Sequence, residues 1–452
     1  MIGRESLTPR RVLAVAILVL VAPTVVAGVS HALGGTDAAV DGSGEQNVAD
    51  LTVVTAQGRS PEVTSSPGGI EIVNTTSKER VWAHDDDRCM RYYDAEPVDN
   101  STLLITANCE RDTGGRIRLA MEYNWRTNTT ERAFRIPRDT HDVDKLGPHR
   151  YAVADIVDQT AYVYNYTADD TVDWASFRNV SVRNGWRGGY DWEYDFTRRF
   201  PESAGGEEGY DGDYTHLNDI DAVDNGSAFL LSPRDFNRVM LVNRSTKAVE
   251  WTLGSQDDTS VLAGQHHPAL LSTDPPTVLV GDSLNHRVVE YRRVAGREGA
   301  DSLDDDGDGW VRTWTYIGMD VGGLNWPRDV HRLPNGNTLV MDTGNDRVLE
   351  VAPNGTTVWT YETMANPFDV DRYAHGDQPR GPPMSAERDG NATATPAVGT
   401  PGVSVIDRSH RLAGWVLPAW VGEPAFLGLV GAGTLVVGWT VTEAGLRVRR
   451  RL

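Results

Sequence analysis

The stretch WPRDVHRLPNGNTLVMDTGNDRVLEV, residues 326–351, decides the fold. A Pro-Arg-Asp-Val opening runs into the turn Pro334-Asn335-Gly336. Asn337-Thr338-Leu339-Val340-Met341 then alternates as a buried strand ending at Asp342. Arg347-Val348-Leu349-Glu350-Val351 reads as the next strand, and Pro353-Asn354-Gly355 turns the chain back into residues 357–361. The same phrase recurs as THLNDIDAVDNGSAFLLSPRDFNRVMLV (215–242), QHHPALLSTDPPTVLVGDSLNHRVVEY (265–291) and, more loosely, HDVDKLGPHRYAVADIVDQTAYVY (141–164). A first copy is YDAEPVDNSTLLITA (93–107), and a truncated last copy, NPFDVDR (366–372), repeats WPRDVHR 40 residues on. Six copies at intervals of 40–77 residues imply a radial array, because one unit of this size cannot bury its own face. The expected fold class is all-β, a six-bladed β-propeller spanning residues 48–375, each blade a meander of about four strands.

The last copy stops before its strands are complete, while residues 51–55 and 69–73 are strand-like and belong to no copy. These N-terminal strands are expected to complete the sixth blade and close the ring, which removes its exposed edges. Residues 166–214, rich in Trp, Tyr and Gly, are expected as a long loop on one face.

The 452-residue chain carries a net charge of −21, and only Lys78, Lys145 and Lys247 among its 43 basic residues are lysines. An acid-rich, lysine-poor surface suits solution in molar salt, and it repels phosphates, which excludes nucleic acid as a partner. Residues 12–29 are uncharged and follow Arg10 and Arg11, so they read as a transmembrane anchor or a signal peptide after a cytoplasmic segment 1–11. Residues 376–415 read as a Pro/Gly/Ala/Thr-rich stalk, 420–442 as a transmembrane helix and 443–452 as a basic cytoplasmic tail. The two ends agree on orientation, so the chain is expected to be anchored in the cell membrane with the propeller facing outside. Nine N-x-S/T acceptors, at Asn74, Asn100, Asn128, Asn165, Asn179, Asn225, Asn243, Asn354 and Asn391, agree with a glycosylated exterior. Cys89 and Cys109, the two cysteines, are candidates for a disulfide between neighbouring strands, with two buried thiols as the alternative.

Overlaying the copies picks out a candidate site. Counting back sixteen residues from Ser232, Asp282 and Asp342 reaches His216, His266 and Trp326; fourteen reaches Asn218, Pro268 and Arg328, with His141 in the second blade. These positions open the innermost strands, so their side chains are expected to converge on one mouth of the central channel. His141, His216 and His266 form a histidine-rich rim there, joined by Asn218, His267 and Arg328 as binding candidates. His331 stands where other copies have Asp144, Asp221 and Asp371, a slot that reads as structural. Arg238, Arg287 and Arg347 also recur, and their alternative to a functional role is an ion pair with a neighbouring blade's Asp. Asp304, Asp306, Asp308 and Gly309 match the start of a calcium loop, but its twelfth position is Thr315 rather than Glu, and a solvated acidic turn is the alternative.

Taken together, His216-Leu217-Asn218-Asp219-Ile220-Asp221, Gln265-His266-His267-Pro268, Asp282-Ser283-Leu284-Asn285-His286-Arg287 and Pro327-Arg328-Asp329 resemble the arylsulfotransferase family, closest to its membrane-anchored archaeal branch. The resemblance covers about residues 70–372 and implies a six-bladed propeller that moves a sulfuryl group from an aryl sulfate to a phenol without a soluble nucleotide donor. It implies sulfate binding by His216 and His266 together with Arg287. The position matching the family's nucleophilic histidine falls in the Trp326-Pro327-Arg328-Asp329 segment, which has no histidine, so His331 is the nearest candidate. No cofactor is implied beyond Ca²⁺ at the acidic segment.

Two other readings compete. The segment VLVGDSLNHRVVEY (278–291) also resembles NHL-type repeats, whose propellers serve as cell-surface interaction platforms. A metal-dependent propeller hydrolase such as a lactonase needs acidic ligands in the channel, against a rim that reads as histidine-rich.

Overall fold

A computed structural model describes residues 47–58, 68–85, 88–110, 115–166, 190–206, 208–296, 302–303 and 308–384. They form six antiparallel sheets, each counted outward from its innermost strand. The first blade is Cys89–Pro97, Thr102–Glu110, Arg116–Asn124 and Thr129–Arg135; the second is Val143–Lys145, Arg150–Asp155, Thr160–Asn165 and Trp192–Asp195. The third is Leu217–Val223, Ala228–Pro233, Arg238–Asn243 and Val249–Gly254. The fourth, His266–Thr273, Pro276–Asp282, Arg287–Val294 and Gly309–Tyr316, adds the short edge strand Ser302–Leu303. The fifth is Pro327–Arg332, Thr338–Asp342, Arg347–Val351 and Thr357–Glu362.

The sixth blade closes the ring as the sequence predicts. Its innermost strand is the C-terminal Pro367–Arg372, which pairs with the N-terminal Leu51–Ala56 through Val53 opposite Asp371 and Val54 opposite Val370. Gly69–Asn74 and Arg80–His84 complete the sheet. Six apolar clusters seal the ring, one between each pair of successive blades. Val54 and Val370 pack against Leu339, Met341 and Val348 of the fifth blade, and Leu51 and Val53 pack against Tyr92 and Leu103 of the first. Cys89 and Cys109 lie opposite each other on adjacent strands of the first blade and are joined as a disulfide.

Charged pairs also cross between blades, but through residues other than those anticipated. Arg287 bonds Asp282 at 2.6 Å and Arg347 bonds Asp342 at 2.8 Å, each within its own blade, because the arginine opens the strand that pairs with the one the aspartate ends. The inter-blade pairs instead join the residue that ends an inner strand to a Glu of the preceding blade: Lys145 to Glu122, Arg332 to Glu290 and Arg372 to Glu350.

Two other expectations meet the structure differently, and one falls outside it. The segment 166–214 is not all loop: Trp192 and Tyr194 alternate inward, and Trp192–Asp195 is the outermost strand of the second blade. The anticipated stalk begins too early, since Gln378 bonds Asp221, Gly381 bonds the Arg332 carbonyl and Met384 bonds Glu290, which fastens residues 378–384 to the propeller. The spans read at 12–29 and 420–442 lie outside the described residues; among those described, no helix is long and apolar enough to cross a membrane.

Candidate functional site

Four of the six inner strands are preceded by a residue in the left-handed region: His216 (φ 43°), Gly264 (φ 54°), Trp326 (φ 57°) and Asn366 (φ 55°). The preceding amide in two blades fixes the alignment, since Ala263 N–H donates to Asp282 and Asn325 N–H to Asp342, both at 2.7 Å. Gly264, not His266, is therefore the equivalent of His216 and Trp326. The sixteen-residue count slips in the fourth blade because two extra residues separate Pro268 from Asp282 relative to Val330 and Asp342. A bulge follows in several blades, with register shifts between Leu217 and Ile220, His266 and Ala269, and Pro327 and Val330. Bulges of this kind let consecutive side chains face the same way, here toward the axis.

Three levels result. The mouth is lined by Tyr93, His141, Asn218, His266, Arg328 and Phe368. The level beneath holds Asp94, Asp142, Asp219, His267, Asp329 and Asp369, and the third Glu96, Asp144, Asp221, Ala269, His331 and Asp371. Phe368 is the hub of the mouth: its ring centre is 5.3 Å from that of Tyr93, 5.4 Å from His141 and 6.3 Å from His266, and the Arg328 guanidinium lies 4.6 Å away. His141 stacks on Tyr93 at 4.5 Å and meets His216 edge-on at 5.3 Å. The histidines picked from the sequence thus converge, and the acidic levels below them are what the sequence reading missed. Their signal was present in the recurring D-[VI]-D of residues 142–144, 219–221 and 369–371.

Hydrogen bonds assign the imidazoles. His266 Nδ1 is 3.0 Å from the Gly264 carbonyl and 2.9 Å from Ser283 Oγ, whose hydroxyl donates to Pro327 O. A carbonyl only accepts, so Nδ1 carries the proton and Nε2 keeps its lone pair. Burial, then the charges of Arg328 and Arg234, hold His266 well below the usual imidazole range. Burial likewise pushes His141 down to about 3, against the pull of Asp139. His216 donates through Nδ1 to Asp213 at 2.6 Å; despite burial, His216 and then Arg234 keep the Asp213 carboxyl below its ordinary value.

Arg328 is 7% exposed, and among the described residues no carboxylate pairs with it. Its contacts are a 3.4 Å bond to Gln57 and the face of Phe368. Burial lowers it to about 9. Beside the mouth a cleft of about 380 Å³ is lined by Arg234, Gly264, Leu284 and Trp326 among others. Leu284 is exposed, and the Trp326 ring lies 6.1 Å from His266.

Other anticipated residues lie elsewhere. Arg287 bonds Asp282 and the carbonyls of Ser260 and Val261, none of them a mouth residue. His331 sits in the third level, its Nε2 3.0 Å from Asp329 and 3.7 Å from Asp371. Burial opposes its charge, but Asp329, Asp371 and Asp377 lift it to about 10, so it is an imidazolium locked among carboxylates. Asn218, by contrast, is at the mouth, where it donates to the Gln265 carbonyl at 2.9 Å. Asp304 and Asp306 lie outside the described residues, and Asp308 pairs with Arg293 at 3.1 Å.

No protein-family model and no curated protein matches the chain. Among solved structures, a putative 6-phosphogluconolactonase from Bacteroides uniformis is similar at 12% identity and TM-score 0.44, covering 71% of this chain and 99% of that one. A periplasmic gluconolactonase from Pseudomonas aeruginosa is similar at 14% identity and TM-score 0.39, covering 71% and 98%. The β-propeller domain of a Myceliophteria thermophila protein is similar at 13% identity and TM-score 0.39, covering 66% and 81%. At such identities and superpositions, none of these likenesses bears on what this chain does.

Proposed function

We propose that the mouth transfers a sulfuryl group from an aryl sulfate to a phenolic acceptor, with His266 as the nucleophile. The observation that carries this reading is Arg328: a buried guanidinium with no carboxylate partner among the described residues, set among neutral imidazoles. Such a group suits an anion that arrives with its own charge.

In the first half-reaction, His266 Nε2 attacks sulfur while the S–O bond to the aryl group breaks, and the electron pair leaves with the phenolate. His216, whose Nδ1 is held by Asp213, delivers a proton from its other nitrogen to that oxygen. Arg328 faces the equatorial sulfonate oxygens, and the cleft beside Leu284 and Trp326 takes the aromatic ring. In the second half-reaction, His216 removes the acceptor phenol's proton, the phenolate oxygen attacks sulfur, and the N–S bond breaks to restore His266. Imidazole nucleophile, imidazole acid–base and guanidinium together meet what transfer of this kind needs, which is mainly positioning and charge stabilisation.

The test is the full-length chain in molar KCl with an aryl sulfate and a phenol, following phenol release and the new sulfate ester together. Acceptor-dependent turnover is expected. Folded protein that turns over no donor would overturn the reading and leave a binding propeller.

A further inference from the structure

The level beneath the mouth holds more negative charge than the proposed chemistry uses. Most of its carboxylates have an architectural partner: Asp142 accepts from the Ile220 amide at 2.6 Å, Asp329 from Val370 at 2.8 Å and Asp369 from Ala95 at 3.2 Å. Each bond staples one blade to the next. The staple fails at the fourth blade. The amide position that Asp219 would address is Pro268, which has no N–H, and Asp219 Oδ2 is buried without a hydrogen-bond partner.

The same blade replaces the recurring aspartate with His267. This residue is 7% exposed, and its Nε2 also has no hydrogen-bond partner. Its Nδ1 lies 3.5 Å from Asp219 and 3.9 Å from Asp329. One ligand atom each from His267, Asp329 and Asp369 falls within 4.8 Å of the others, and all three residues are buried. Asp94 Oδ2 and Asp329 Oδ1 at the same level are also buried without a hydrogen-bond partner. Leaving buried polar atoms unsatisfied is costly, so the level calls for an occupant.

We propose that His267, Asp329 and Asp369 bind one divalent transition-metal cation in the tunnel, tying the fourth, fifth and closing blades together. One nitrogen and two carboxylate donors suit a borderline ion such as Mn²⁺ or Zn²⁺ better than Ca²⁺, which favours oxygen alone. Asp219, 3.5 Å from the same imidazole nitrogen that lies 3.9 Å from Asp329, adds a further carboxylate beside the cation. Phe368 packs over His267 at 5.5 Å on the mouth side, and His331 contacts Asp329 from below. The site is therefore closed and structural, separate from the transfer chemistry above it.

The full-length chain would be stripped with a chelator in molar KCl and titrated with MnCl₂, ZnCl₂ or CaCl₂, with bound metal and melting temperature as readouts. One equivalent of Mn²⁺ or Zn²⁺ with a rise in melting temperature is expected, weakened about 100-fold or more in His267→Gln. Pulsed EPR of Mn²⁺ on the unaltered chain is a second measurement that does not depend on the variant folding, and coupling to a histidine nitrogen is expected. No binding, Ca²⁺ binding unchanged in His267→Gln, or bound Mn²⁺ without nitrogen coupling would each overturn the proposal.

Discussion

The Arg328 guanidinium lies 4.6 Å from the centre of the Phe368 ring, and the two residues hold equivalent positions in the fifth and sixth blades. The cation is thus placed by the face of an aromatic ring from the strand that closes the propeller. Arg328→Ala is expected to lower kcat/KM for the aryl sulfate by about 10²–10³-fold without altering the melting temperature much. Arg328→Lys should restore only part of it, because an ammonium cannot reproduce the planar fork. Unchanged kinetics in Arg328→Ala would remove the anion site.

Proton transfer is assigned to His216. His216→Ala should slow turnover by about 10²–10⁴-fold for poor phenol leaving groups and by much less for acidic ones, which depart unprotonated. Steady-state rates across a series of aryl sulfates check this, and an equal loss across the series would contradict it.

His141 supplies a pH dependence of stability. Its folded pKa, about 3, lies below the unfolded value of 6.5, so the unfolded chain binds the extra proton as pH falls through 6.5. The stability His141 contributes is complete above pH 6.5 and is lost progressively toward pH 3. At pH 4.5 the loss amounts to about 2–3 kcal/mol, at about 1.4 kcal/mol per pH unit. Denaturant unfolding of the original chain and of His141→Gln at pH 7 and pH 4.5 should show the variant losing less stability on acidification.

Arg332 and Glu290 form an ion pair at 2.9 Å, almost wholly out of water, between the fifth and fourth blades. Arg332→Met leaves the Glu290 carboxylate buried and unpaired, and should cost about 3–5 kcal/mol in unfolding free energy. Replacing both partners by apolar residues should recover most of that loss. A single variant as stable as the original chain would show that the pair is not a structural tie.

The architecture was legible because each repeat carries its own turns and strand alternation: Pro334-Asn335-Gly336 and the run to Asp342 mark a hairpin wherever they recur. Closure was legible too, since NPFDVDR matches an inner strand and has no outer strands after it. The site was legible only in part. Counting by fixed offsets assumes hairpins of one length, and two extra residues in the fourth blade shifted His266 by one position class. The acidic levels were hidden because alternation in a strand ordinarily turns neighbours to opposite faces; only the bulge brings Arg328 and Asp329 to the axis together. The inter-blade ion pairs were hidden as well, because Glu290 and Arg332 lie 42 residues apart and meet only through the stacking of sheets.

Incubation with an aryl sulfate in the absence of any acceptor, followed by mass spectrometry of the digested chain, tests the central claim most directly. One sulfo group on the peptide that contains His266, discharged when a phenol is added and absent from His266→Ala, is the predicted result. Acceptor-dependent turnover with no sulfated peptide, or with the label on His331 or His141, would contradict it.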